Sequence, residues 1–205
     1  MSYVPLNINH IKAIVFDLDN TLVTSDMDFA WLREQLGCPL SSDLLSYVDD
    51  IECSEERARA HDVILNHELE DARTSHPMPG CLSILEFIHS NHFLTAVITR
   101  NCAEATDQKI AHNRLNIPRV ITREHFPPKP SPDALIALAQ EWQLQCHQVL
   151  YVGDFLYDLQ AAFNAKMPSC LVTHGKEVAF SEQASLVVDH LHDLEDFISR
   201  HLIHA

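Results

Sequence analysis

The 205-residue sequence is short of positive charge: 14 lysines and arginines face 29 aspartates and glutamates, for a formal net charge of −15. Such a surface repels polyanions, which argues against nucleic acid or an anionic membrane as a partner. Any anionic substrate must be drawn in locally, by a metal ion or a focused pocket. The plainer reading, that surplus acid keeps the protein soluble, fits the same count. No C-x-x-C pair occurs among the six cysteines, Cys38, Cys53, Cys81, Cys102, Cys146 and Cys170. That spacing argues against a structural zinc site and a dense disulfide scaffold, so reduced thiols are expected. No apolar run approaches the ~18 residues that read as a membrane span. Nor does a basic region followed by a long apolar stretch open the chain. The expectation is a cytoplasmic protein. Low-complexity tracts and internal repeats are also missing.

Short apolar runs do recur. Ile11–Phe16 is continuous and rich in β-branched residues, the pattern of a strand buried on both faces. Leu94–Thr99, Val149–Val152 and Cys170–Val172 read the same way, and Arg119–Ile121 and Leu186–Val188 more weakly. Between them lie stretches of helical period, one carrying Leu82, Leu85, Phe87 and Ile88. Another carries Ala134, Leu135, Leu138 and Ala139 after a Ser131–Pro132 start signal. Strand alternating with helix predicts a doubly wound, Rossmann-like parallel α/β sheet with right-handed crossovers.

One segment breaks the alternation. Residues 24–79 offer only helical patterns, at Phe29–Leu36, Ser42–Val48 and from Ser54 to about Leu69. The punctuation from Ser75 to Gly80, with prolines at 77 and 79, closes the stretch. The sequence therefore predicts a core of residues 1–23 and 80–205, with a small α-helical insertion, 24–79, after the first strand. Trp31 and Trp142 read as helix packing, and the insertion's arginines Arg33, Arg57, Arg59 and Arg73 as members of surface ion pairs. Of the 14 histidines, no pair such as His89/His92 or His61/His67 comes with a third convergent ligand, so solvent exposure is expected.

Four sites carry chemistry. Asp17 and Asp19 follow the first strand, where ligands of α/β sheets bind. Two close carboxylates repel unless a cation or proton compensates, and Mg2+, with its preference for oxygen ligands, would do so. Thr99, Arg100 and Asn101 end the second strand, offering a hydroxyl and free N–H groups to a phosphate oxygen. Lys129 stands among prolines at 127, 128, 130 and 132, which restrict the backbone around one ammonium group. Gly153, Asp154 and Asp158 follow the strand Val149–Val152, with the two acids four residues apart, on one face of a helical turn. Each has a plainer reading alone: a strand-to-loop junction, a helix N-cap, a stiff surface loop, helix acids favoured by the dipole. Their joint occurrence in this order does not.

Together, Asp17-x-Asp19-x-Thr21, Thr99, Lys129 in Lys-Pro-x-Pro, and Gly153-Asp154-x-x-x-Asp158 resemble the four motifs of the haloacid dehalogenase-like (HAD) superfamily. The resemblance spans essentially the whole chain, and it makes the insertion, 24–79, a small α-helical cap. Asp19 favours the phosphatase branch, because the dehalogenases lack this second acid. Relatives often carry Gly after it, whereas Asn20 stands here. Asparagine also tolerates the left-handed backbone region.

The resemblance implies a phosphatase of small-molecule phosphate esters, phosphoglycolate being one of several open substrates. Asp17 would act as nucleophile and Asp19 as general acid and then base. Thr99, Arg100 and Lys129 would hold the phosphoryl group. Mg2+ would be bound by the side chains of Asp17 and Asp154 and the carbonyl of Asp19, with Asp158 orienting Lys129 or a water in support. The cap would close over the site, hinged at Thr24–Asp28 and Ser75–Pro79. Two alternatives stay open: a phosphotransferase or sugar-phosphate mutase using the same nucleophile, and a catalytically quiet binding protein of the same fold. Oligomeric state is not readable from the sequence.

Overall fold

The computed structural model describes residues 3–202, so the outermost residues of the expected core range lie outside it. Six strands form one parallel sheet: β1 (Ala13–Phe16), β2 (Leu94–Ile98), β3 (Val120–Ile121), β4 (Val149–Gly153), β5 (Ser169–Val172) and β6 (Leu186–Val188). Their order is β3-β2-β1-β4-β5-β6, with β1 central and register pairs Val15–Ala96 and Val15–Tyr151 on its two sides. This is the doubly wound α/β topology expected from the alternation.

The reason β1 reads as an unbroken apolar run lies in the period of two along a strand. Ile14 and Phe16 face one layer, packed with Cys81, Ile84 and Ile88 of helix α4 (Cys81–Ser90) and Leu191, Leu194 and Ile198 of α8 (Leu191–Leu202). Ala13 and Val15 face the other layer, against Ala134, Leu135 and Leu138 of α6 (Asp133–Glu141) and Ala161 and Ala162 of α7 (Leu156–Asn164). Both layers are dry, so no strand position favours a polar residue until the run ends at Asp17. Gly80 starts α4 at φ +82°, and a Cβ there would lie 2.6 Å from the backbone N of His192. Only glycine allows α4 and α8 to approach so closely.

The insertion after β1 contains α1 (Phe29–Leu36), α2 (Leu44–Asp49) and α3 (Ser54–Thr74), which share a small core of Leu32, Leu44, Leu45, Val48, Ala60 and Ile64. Asp28 and Asp43 cap α1 and α2 by accepting from the N–H groups of Trp31 and Ser46. Helix α3 runs five residues past the expected Leu69, because its last turns pack on α5 (Ala103–His112) of the core. The two connecting segments are bonded to each other: Thr24 N–H donates to His76 O (2.8 Å) and Met78 N–H to Leu22 O (2.8 Å). The segments read as hinges are thus paired extended backbone, and Ser75 is buried against Asn113 of α5.

Trp31 of α1 packs on the ring of His67 of α3, in keeping with the expected helix packing, while remaining 43 % exposed. Two expectations about the insertion are corrected. Arg33 and Arg57 donate to backbone carbonyls, of Pro39 and Ser42 and of Ile51, in place of the expected ion pairs. His61 and His67 are half-buried, the first 3.2 Å from Asp49 and the second accepting from the N–H of Asp28, while His89 and His92 are exposed as expected. All six cysteines are unpaired. Among the described residues no helix is long and apolar enough to cross a membrane.

Candidate active site

The C-terminal ends of β1, β2 and β4 and the loop carrying Lys129 converge on one pocket of about 390 Å³, roofed by the insertion. Asp17, Asp19, Thr99, Arg100, Lys129, Asp154 and Asp158 all line it, so the residues expected to carry catalysis, phosphate binding and metal binding face the same space.

Asp17 continues β1, its N–H donating to Val152 O at 2.8 Å. The chain then turns sharply, with Asn20 in the left-handed region at φ +56°. Asparagine therefore fills the conformational role left open by the missing glycine. Lys129, 6 % exposed, places its Nζ between two carboxylates: it bonds Asp17 Oδ1 and lies 2.7 Å from Asp158 Oδ1. Asp158 is held in turn by the N–H of Phe155 at 3.0 Å and faces the hydroxyl of Tyr151 at 3.3 Å. Burial alone would lower the Lys129 ammonium, but the facing carboxylates of Asp158 and Asp17 outweigh it and raise its pKa well above the usual value. The lysine therefore stays charged.

The carboxylates are less well compensated. Burial, together with the nearby Asp158 and Asp19, pushes Asp17 up to about 7 despite Lys129. Burial and the Asp17 and Asp158 charges push Asp154 up to about 8; among the described residues its one side-chain hydrogen bond comes from the Thr21 hydroxyl at 3.5 Å. Asp17, Asp154 and Asp158 each bring an oxygen to within 4.8 Å of one another. Three crowded carboxylates, two of them raised in pKa for want of positive charge, form the donor set that suits a hard divalent cation. Asp17 and Asp154 fit the expected role, with Asp158 the third acid of the group. The side chain of Asp19 is not part of it.

Asp19 points instead to Lys109 of α5, a residue the sequence reading missed. Lys109 is fully buried and also bonds Asp71 of α3 at 2.5 Å. In the fold Lys109 shares a helix face with the buried Ala105 and Thr106, where a lysine needs a carboxylate opposite, but nothing in the sequence marks that face as interior. Burial raises the Asp19 carboxyl in spite of Lys109.

Thr99 is buried and accepts from the N–H of Asn101 at 3.1 Å. Asn101 also lines the pocket with its side chain beside the Asp19 carboxyl, and its buried Nδ2 makes no well-formed hydrogen bond among the described residues. That leaves a donor ready for an oxygen-rich ligand. The Arg100 guanidinium sits 4.9 Å over the ring of Tyr157, donates to the carbonyl of Lys129 at 2.9 Å and pairs with Asp43 of the insertion at 2.5 Å.

A sequence profile of haloacid dehalogenase-like hydrolases matches residues 30–172, which include Thr99, Lys129, Asp154 and Asp158. An uncharacterized hydrolase of Saccharomyces cerevisiae is 28% identical, over 93% of this chain and 91% of its own length. A phosphoglycolate phosphatase of Vibrio vulnificus is 29% identical, over 92% of this chain and 96% of its own. Among solved structures, a hydrolase from Pseudomonas syringae covers 92% of this chain and 98% of its own with a TM-score of 0.76. At 19% identity that likeness concerns the fold.

Proposed function

The chain belongs to the haloacid dehalogenase-like hydrolases, and on that premise we propose that it is a Mg2+-dependent phosphatase of small phosphomonoesters, working through an aspartyl-phosphate on Asp17. The observation that carries this reading is the seating of Asp17: at the end of β1, against the Lys129 ammonium, in a pocket that Asp19, Thr99, Arg100, Asp154 and Asp158 also line.

The Asp17 carboxylate attacks phosphorus in line as the bond to the leaving oxygen breaks, and Asp19 gives that oxygen its proton. In the second half, Asp19 takes a proton from the water that attacks the aspartyl-phosphate, and inorganic phosphate leaves. Lys129, Thr99, the N–H of Arg100 and the amide of Asn101 hold phosphoryl oxygens and meet the charge developing on them. Asp158 keeps Lys129 aimed. Asp17 and Asp154, with the Asp19 carbonyl, would hold Mg2+, which would supply positive charge to the phosphoryl oxygens. The insertion, residues 24–79, serves as the cap that excludes water and reads the leaving group. The substrate class we favour is a phosphorylated small carboxylic acid of the phosphoglycolate type, supported by the Arg100 guanidinium in the wall of the pocket beside Thr99 and Lys129. The named Vibrio relative supports the same choice.

The test is inorganic phosphate release from a panel of small esters, with Mg2+ and with EDTA. Mg2+-dependent release that disappears in a folded Asp17→Asn variant is the expected result. Full activity in that variant would end the covalent mechanism. Isomerised product without free phosphate would mark a mutase, and silence from folded protein a binding module.

A further inference from the structure

We propose that Lys109 is a positioning residue for the acid Asp19, fixing which of its two oxygens carries the proton handed to the leaving group. The inference rests on the phosphatase reading above and adds a residue to it.

Lys109 lies in the last turn of α5, and nothing of its side chain is exposed, whereas the Asp19 side chain is 23 % exposed to the pocket it lines. Its Nζ bonds Asp19 Oδ1 on one side and Asp71 Oδ2 on the other. Asp71 is itself immobilised, taking the Ser25 hydroxyl at 2.8 Å and the Asp26 N–H at 2.6 Å. A buried lysine with two carboxylate partners has one geometry open to it, since leaving any of the three unpaired is costly. The ammonium has donors only, so Oδ1 of Asp19 must be an acceptor whether the carboxyl is ionised or protonated. When Asp19 is an acid its proton is therefore confined to Oδ2. As the P–O bond of the ester breaks and the Asp17 O–P bond forms, that proton passes from Oδ2 to the departing oxygen. The vacated carboxylate later takes a proton from water. Lys109 keeps its own protons throughout.

The arrangement also ties the acid to the cap, because Asp71 belongs to α3 and Ser25 and Asp26 to the entering connection. A shift of about 1 Å in a reacting group costs roughly 100-fold in rate, so the seating of α3 on α5 sets how well the acid works.

Only an ester whose leaving oxygen needs a proton should register the loss. The experiment compares Mg2+-dependent kcat/KM for ethyl phosphate, a poor leaving group, with that for p-nitrophenyl phosphate, a good one. The unaltered protein, Lys109→Met and Asp71→Asn are all measured. The ratio of the two values does not depend on the folded fraction, and Asp71→Asn keeps the lysine if Lys109→Met proves too unstable to purify. The expected result is a fall for ethyl phosphate on the order of 100-fold beyond that for p-nitrophenyl phosphate in Lys109→Met, with a smaller change of the same sense in Asp71→Asn. Equal losses on both esters in the folded variants overturn the inference and leave the phosphatase reading standing. Absence of phosphate release from either ester by the unaltered protein overturns that reading, and the inference with it.

Discussion

The space that a Cβ on Gly153 would fill is taken by the carboxyl group of Asp158. The backbone of β4 and the side chain of the following helix are in contact there, and the contact holds Asp158 where it meets Lys129. Gly153→Ala is expected to drive Asp158 aside while leaving the sheet in place. Turnover should fall about 100-fold, the scale of a reacting group displaced by about 1 Å. Phosphate release together with an unchanged circular dichroism spectrum checks it; an Ala variant with full activity would show that Asp158 is not needed to aim the lysine.

Stability should depend on pH in a direction set by Asp17 and Asp154. Their carboxyls stand at about 7 and about 8 against an ordinary 3.8. From about pH 4 to about pH 8 the folded protein therefore keeps protons that the unfolded chain has released, and stability falls as pH rises through that window. Mg2+ favours the ionised carboxylates and opposes the fall. Melting temperature in EDTA should drop between about pH 5 and about pH 8. Excess Mg2+ should shrink the drop, and Asp154→Asn should flatten it. A melting temperature that climbs over this range in EDTA, in step with Asp154 ionising, would contradict the assignment.

The seam between α3 and α5 should carry much of the stability of the insertion. Glu68, 3 % exposed, takes Arg123 on one oxygen and the Cys102 N–H at 3.3 Å on the other. Arg123→Met leaves a buried carboxylate with no cation, a change that costs about 3–5 kcal/mol. Urea unfolding measures this directly, and a cost below about 1 kcal/mol would place the pair with exposed ion pairs.

Arg100 should discriminate among substrates. Its guanidinium is fixed by Tyr157, the Lys129 carbonyl and Asp43, all lining the pocket or bordering it. A substrate carboxylate competes with Asp43 for it. Arg100→Met is expected to raise KM for 2-phosphoglycolate about 10-fold, or ~1.4 kcal/mol, and to affect ethyl phosphate less. Equal changes in KM for the two esters would assign the arginine to the phosphoryl group alone.

How much of this was legible depended on the range of the forces involved. The central strands announced themselves because burial on both faces favours an unbroken apolar run, as in Ile14–Phe16, whereas the short edge strands β3 and β6, with Val187 44 % exposed, read only faintly. Asp17, Thr99, Lys129 and Asp154 were legible because each polar residue stands immediately after an apolar strand or among prolines. Lys109 was not, because a lysine in a helix is ordinary until its partners Asp19 and Asp71, 90 and 38 residues away, are known. The true end of α3 was hidden for the same reason: Glu68 and Asp71 look like surface acids, and only α5 makes them interior. Arg33 was misread because the carbonyls it holds belong to an irregular loop whose path no periodicity encodes.

The sheet ends on strands of two residues at one side, Val120–Ile121, and three at the other, Leu186–Val188. An unpaired strand edge is a template on which another chain can grow by hydrogen bonding, and its hazard increases with its length. The long, sticky strands β1, β2 and β4 are enclosed between neighbours, and what remains open offers a foreign strand too few rungs to hold. The same brevity that made β3 and β6 faint in the sequence shields the folded protein from aggregation through its edges.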